Sequence, residues 1–121
     1  MTQITSHILD TSRGSPAEGV LTILMQQQND DWLMLGSAST DADGRIADFT
    51  GPQTEPSTGS TNPLPGGIYK LTFYMSGYYE NLQQSCFYPY IEVVFEISGD
   101  GQHYHVPLLV NPYGYSTYRG S

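Results

Sequence analysis

One cysteine and four cationic side chains are the scarcest features of this chain of 121 residues. The lone Cys86 has no partner for an internal bridge, so a disulfide framework is excluded and a reducing compartment suits the chain; its ordinary role is that of a small, partly buried apolar side chain. The cations Arg13, Arg45, Lys70 and Arg119 stand against twelve acidic residues, for a formal net charge of −8. Four are too few to track a phosphate backbone, which argues against a nucleic-acid partner. No run approaches the ~20 apolar residues of a membrane span. The opening MTQITSHILDTS lacks the basic region and apolar core of a secretory signal, and the closing Tyr118-Arg119-Gly120-Ser121 is not the peroxisomal Ser-Lys-Leu address. The expectation is a soluble cytoplasmic protein that binds neither membrane nor nucleic acid.

What is present points to sheets. Charged residues are 13% of the chain against about 25% in average domains, while ten tyrosines suit half-buried sheet surfaces and association between sheets. The length fits a single domain over residues 1–121 that buries roughly two-thirds of its unfolded surface. Short runs rich in Val, Ile, Leu and Tyr alternate with Gly, Pro, Asp, Asn and Ser clusters at intervals of about ten residues, the pattern of an all-β sandwich. Strands are expected at 4–9, 20–27, 32–40, 46–49, 68–75, 90–97, 102–110 and 115–119. Turn signals stand at Asn29-Asp30, Asp43-Gly44, Gly66-Gly67, Ser98-Gly99-Asp100-Gly101 and Asn111-Pro112-Tyr113-Gly114, the last two bracketing a hairpin pair at the C-terminal end. One short helix of about two turns is expected around 78–84, and the proline-rich stretch 51–65 reads as an exposed loop.

Candidate chemistry centres on histidine. His103 and His105 are two apart in HYHVPLL, so a strand puts both on one face with Pro107 and Leu109 and sends Tyr104, Val106 and Leu108 to the core. With His7 they are the chain's three histidines, and an open three-histidine zinc site is one reading; no carboxylate is placed by sequence to support it. There is no G-x-S-x-G elbow, and Ser15 and Ser116 have turn or strand explanations. No phosphate-cradling or dinucleotide glycine motif occurs, so no cofactor is called for. What remains is acid–base work by histidine with arginine holding developing negative charge.

Four segments, in order along the chain, resemble one family: His7-Ile8-Leu9-Asp10, the loop Gly14-Ser15-Pro16-Ala17-Glu18-Gly19-Val20, the turn Thr40-Asp41-Ala42-Asp43-Gly44-Arg45, and HYHVPLLVNPYGYSTYRGS from His103 to Ser121. Together they are similar to the 5-hydroxyisourate hydrolases, the transthyretin-related proteins, and the final Tyr-Arg-Gly-Ser separates these from the hormone-carrying transthyretins. Val110-Asn111-Pro112 departs from the Leu-Ser-Pro of many relatives, and the 76–90 segment matches loosely; both touch turns rather than the candidate chemistry.

The resemblance implies a transthyretin-like two-sheet β-sandwich, and a homotetramer, a dimer of dimers, with active sites in a central channel. It implies hydrolysis of 5-hydroxyisourate, a small purine-derived substrate, to 2-oxo-4-hydroxy-4-carboxy-5-ureidoimidazoline on the way to allantoin. It also implies that His7, Arg45, His105 and Ser121 are catalytic and that His7, Arg45, Tyr118 and Arg119 bind substrate, with no metal. Either His105 or His7 would take a proton from water, histidine being the side chain that titrates near neutrality, and Arg45 would offer a planar donor fork that lysine cannot copy. The other reading that the resemblance allows is a small-ligand carrier without turnover, as in the transthyretins.

Overall fold

The computed structural model describes residues 3–47, 49, 65–99 and 103–120. The expected loop at 51–65 and the expected role of Ser121 therefore fall, but for Pro65, outside the described residues. Along the chain run β1 (Gln3–Asp10), β2 (Ser15–Pro16), β3 (Leu21–Gln28), β4 (Asp31–Ser39), β5 (Arg45–Ile46), β6 (Gly67–Tyr74), α1 (Met75–Asn81), β7 (Tyr90–Ile97), β8 (His103–Asn111) and β9 (Gly114–Thr117). They form two sheets. One has the order β2-β1-β8-β9, with β5 also pairing with β1; the other has the order β4-β3-β6-β7. The all-β sandwich with one short helix read from the sequence is what the chain forms.

The sandwich follows from alternation. In β1, Ile4, Ser6, Ile8 and Asp10 turn inward, and in β8 Tyr104, Val106, Leu108 and Val110 do the same. They meet Leu24, Tyr69, Leu71, Phe73 and Ile91 of the facing sheet in one core. Thr5, His7 and Leu9, with His103, His105 and Leu109, are left on the outer face of the first sheet. Because β1 and β8 are parallel and in direct register, Thr5 stands opposite His105 and His7 opposite Pro107.

Proline is out of place in a central strand, since it gives no hydrogen to the ladder. Here the β8–β9 ladder lapses where Pro107 sits. Thr117 is the last β9 residue in register, its hydroxyl donates to the Pro107 carbonyl at 2.7 Å, and backbone pairing resumes only at Gly120, which bonds the His105 carbonyl at 2.8 Å. Pro107 keeps its β1 partner, His7, and its missing N–H falls on the side where the β9 ladder is interrupted. The expected strand at 115–119 accordingly stops at Thr117.

Three other expectations are corrected. The helix starts three residues earlier than Tyr78, directly from the end of β6, although Ser76-Gly77 reads as a breaker; the Pro89 carbonyl accepts from the N–H groups of both Met75 and Ser76 at 2.9 Å, relieving the orphan donors that a side-chain cap would otherwise serve. Gln83, at φ 57°, follows its end. The expected strand 46–49 shrinks to Arg45–Ile46 against β1, and Phe49 is buried beyond it. The Ser98–Gly101 turn does not close a hairpin, since β7 and β8 lie in different sheets, whereas Asn111 pairs with Gly114 to make the β8–β9 hairpin as expected. Ser15–Pro16 adds a short strand that the turn signals concealed.

Asp10 anchors the helix to the first sheet. Fully buried, its carboxylate accepts from the Ser12 N–H at 3.1 Å, the Ser12 hydroxyl at 2.6 Å and the Tyr78 hydroxyl at 2.8 Å. Burial, reinforced by the adjacent carboxylate, pushes the Tyr78 phenol up to about 12, so it remains a donor throughout the physiological range. Tyr78→Phe strips one donor from a buried carboxylate, and it is expected to lower the unfolding free energy by about 1–3 kcal/mol. A urea titration would show this as an earlier midpoint at unchanged slope.

Candidate active site on the outer face of the first sheet

Three segments bring the chemistry together. The first is the turn before β5. Asp41 Oδ1 accepts from the N–H groups of Asp43 at 2.9 Å and Arg45 at 3.0 Å, and Asp41 and Arg45 pair through their main chains at 3.0 Å. These amide bonds, that of Arg45 foremost, hold the Asp41 carboxyl below its usual range. Gly44 takes φ +74°, and a Cβ there would lie 2.5 Å from the Ile8 carbonyl oxygen; the Ile8 N–H in turn donates to the Gly44 carbonyl at 2.7 Å. Only glycine allows this approach. The turn sets Arg45 directly opposite His7, and residues paired in this way project to the same face of a sheet.

The second is the β1–β8 pair. Thr5 projects between the two histidines of β8, its Oγ1 lying 2.8 Å from His103 Nε2 and 2.8 Å from His105 Nδ1. The two rings are 6.4 Å apart and inclined at 56°. His105 is half-buried and His103 exposed. Burial first, and then the positive fields of His103, His7 and Arg45, lower the His105 pKa below the ordinary histidine value. His105 is therefore held neutral at pH 7, with a lone pair to offer.

The third is the C-terminal segment. Gly120 bridges to His105, and a Cβ on it would lie 2.6 Å from Cδ2 of the His105 ring. The absent side chain makes room for the imidazole. Tyr118 is exposed and, with Arg119, His105 and residues of β7, lines a cavity of about 220 Å³ at the open edge of the sandwich. The Arg119 guanidinium lies 4.7 Å from the centre of the Tyr104 ring, a cation–π contact with a side chain of the inward face.

Of the residues singled out from the sequence, His7, Arg45, His103 and His105 thus share one face. Tyr118 and Arg119 lie beside it, and Arg119 is directed to the other side of β8. Thr5 was missed, although strand alternation already put it beside His7. Gly120 was seen only as part of a terminal motif. The three-histidine zinc alternative gains nothing from the geometry: among the described residues no group of three histidine, cysteine or acidic side chains is arranged to hold a metal ion, and two of the three imidazoles direct a nitrogen at one hydroxyl.

Comparison with known proteins identifies the family. The chain is 47% identical over 118 residues to a probable 5-hydroxyisourate hydrolase of Caenorhabditis elegans, covering 98% of this chain and 81% of the relative. The structure of a Klebsiella pneumoniae 5-hydroxyisourate hydrolase superimposes with a TM-score of 0.80 at 36% identity over the whole of both chains. Sea bream transthyretin, in its complex with thyroxine, superimposes with a TM-score of 0.82 at 29% identity over 97% of this chain and 93% of its own. The family model described as HIUase/Transthyretin matches residues 4–120. From β1 to the glycine that closes on His105, this chain belongs to the HIUase/Transthyretin family.

Proposed function

We propose that this protein hydrolyses 5-hydroxyisourate to 2-oxo-4-hydroxy-4-carboxy-5-ureidoimidazoline. The observation that carries the reading is the convergence on one sheet face of a neutral imidazole, His105, with an arginine held opposite a second histidine, His7. Acyl C–N hydrolysis needs a base for water and a home for an oxyanion, and this set provides both. His105 takes a proton from water as the oxygen attacks the ring carbonyl carbon. Arg45 donates to the oxyanion of the tetrahedral intermediate, and His7 orients the substrate against it. The C–N bond then breaks, the departing ring nitrogen takes the proton back from His105, and the new carboxylic acid loses its own proton to solvent. Ser121 and Tyr118 complete the substrate's surroundings in this scheme, and the Arg119 guanidinium, turned onto Tyr104, borders them from the other side of β8.

A homotetramer, a dimer of dimers, fits the exposed Tyr90, Val94 and Tyr115 on the edge strands β7 and β9. Among the described residues no helix is long and apolar enough to cross a membrane; the cytoplasm stays our proposal from the sequence. The small-ligand carrier is the second reading, favoured by the superposition on transthyretin. A protein that only carries a ligand has no use for an imidazole of lowered pKa on the same sheet face as an arginine.

The test is the ultraviolet decay of 5-hydroxyisourate, generated in place by urate oxidase, with and without the protein and a strong chelator. The expected result is acceleration that the chelator leaves untouched. A folded protein that leaves the decay unchanged would favour the carrier, and a chelator-sensitive rate would favour the metal site. In the same assay Gly120→Ala is expected to reduce kcat/KM by about 10²-fold, because its methyl displaces the His105 ring by a distance on the scale at which alignment is lost. The Tyr78–Asp10 anchor lies elsewhere and the melting temperature should hold.

A further inference from the structure

The contact of one hydroxyl with two imidazoles restricts where protons can sit. Thr5 Oγ1 is within hydrogen-bond distance of both His103 Nε2 and His105 Nδ1, yet a hydroxyl has one hydrogen to donate. At least one of the two bonds must be donated by a ring N–H. A hydroxyl can also accept from both rings at once; of the arrangements in which Thr5 donates to one neutral ring and accepts from the other, there are two. In one, Thr5 donates to His105 Nδ1 and accepts from His103 Nε2, which forces the proton of His105 onto its Nε2. In the other, His105 Nδ1–H donates to Thr5, whose own hydrogen goes to His103 Nε2, and His105 Nε2 keeps its lone pair.

Resting on the proposed hydrolysis, we infer that Thr5 is a positioning residue that holds His105 in the Nδ1–H tautomer, with His103 as the acceptor that keeps the Thr5 hydrogen turned away from His105. The partner of one imidazole nitrogen decides the state of the other, and a base needs its lone pair on the nitrogen that the strand partner does not occupy. Thr5 reaches the pair only because the parallel register sets it opposite His105. His103 thereby has a task that explains its place two residues from His105: it is exposed, and its Nε2 completes the chain. The groups around His105 are Thr5 and His7 on β1, Arg45 on β5, His103 on β8, and Tyr118 and Arg119 of the C-terminal segment. None of them besides Thr5 forms a side-chain hydrogen bond to His105 Nδ1 among the described residues.

The decisive experiment is nitrogen-15 correlation spectroscopy of the histidine rings in the full-length protein without substrate, above the His105 pKa, combined with kinetics of Thr5→Val and Thr5→Ser. The wild type is expected to show a protonated, pyrrole-type Nδ1 and a bare, pyridine-type Nε2 at His105. Thr5→Val, nearly isosteric, should shift His105 toward the Nε2–H form and lower kcat by about 10–100-fold, the usual effect of removing an outer partner that fixes a histidine tautomer, with KM nearly unchanged. Thr5→Ser should recover most of the rate and the wild-type spectrum. A pyrrole-type Nε2 at His105 in the wild type, or a Thr5→Val enzyme with the wild-type kcat, would overturn the inference. The spectrum is read on the resting protein, so it tests the tautomer independently of whether His105 proves to be the base.

Discussion

His105→Ala is expected to slow turnover of 5-hydroxyisourate by about 10²–10⁴-fold, the range lost with a general base, while the sandwich stays folded. The ring projects from the outer face and contributes no core packing; its main-chain bonds to β1 and Gly120 do not involve the imidazole. The pH profile identifies the same residue by a second route. A base works only when unprotonated, so kcat/KM must fall as pH drops through the His105 pKa. Burial and the neighbouring His103, His7 and Arg45 lower that pKa, and the acid limb should lie below the ordinary histidine value of about 6.5. Loss of that limb in His105→Ala, with the residual rate independent of pH in the same range, would tie the two observations together. Near-wild-type turnover would remove His105 from the mechanism and leave His7 as the base.

Arg45→Lys tests the other half of the site at constant charge. The backbone of residue 45 is held by Asp41 through both its N–H and its carbonyl, and the turn depends on Gly44 rather than on the arginine side chain. Lysine can therefore take the place without disturbing β5. What it cannot supply is the planar fork of parallel donors. A fall in kcat of about 10²–10³-fold, the size of a lost oxyanion donor, is expected with the melting temperature unchanged. A lysine enzyme at the wild-type rate would reduce Arg45 to a positive charge near His105, and oxyanion stabilisation would have to come from elsewhere.

The residues differ in how far sequence alone revealed them. The inward and outward sides of β8 were legible because period-2 alternation survives through HYHVPLLV, and the Asp-Gly-Arg turn announced itself through residues that accept its backbone. The helix start was not legible: Ser76-Gly77 has poor helix propensity, and the start is sustained by the Pro89 carbonyl arriving from thirteen or more residues away. Thr5 was overlooked for a related reason. A threonine on a strand is ordinary, and its bond to His105 exists only once a parallel pairing brings residues a hundred positions apart into register. The C-terminal segment was recognisable as a motif, but that its glycine is sterically matched to an imidazole is a fact of tertiary approach, as is the turning of Arg119 onto Tyr104.

The two sheets draw on the chain very unequally. The sheet β4-β3-β6-β7 comes from the middle of the sequence, its run of described strands broken only by β5, whereas β1, beyond its short partners β2 and β5, waits for β8. During synthesis the middle sheet can pair as it emerges from the ribosome, while β1, made before every other described strand, keeps its β8-facing edge open until β8 follows. Its parallel partner requires closure of a very long loop, the kind of contact that forms late. The interval between the two events is when this edge is open to pairing with another nascent chain, and the histidine cluster comes into existence only in the last moments of folding.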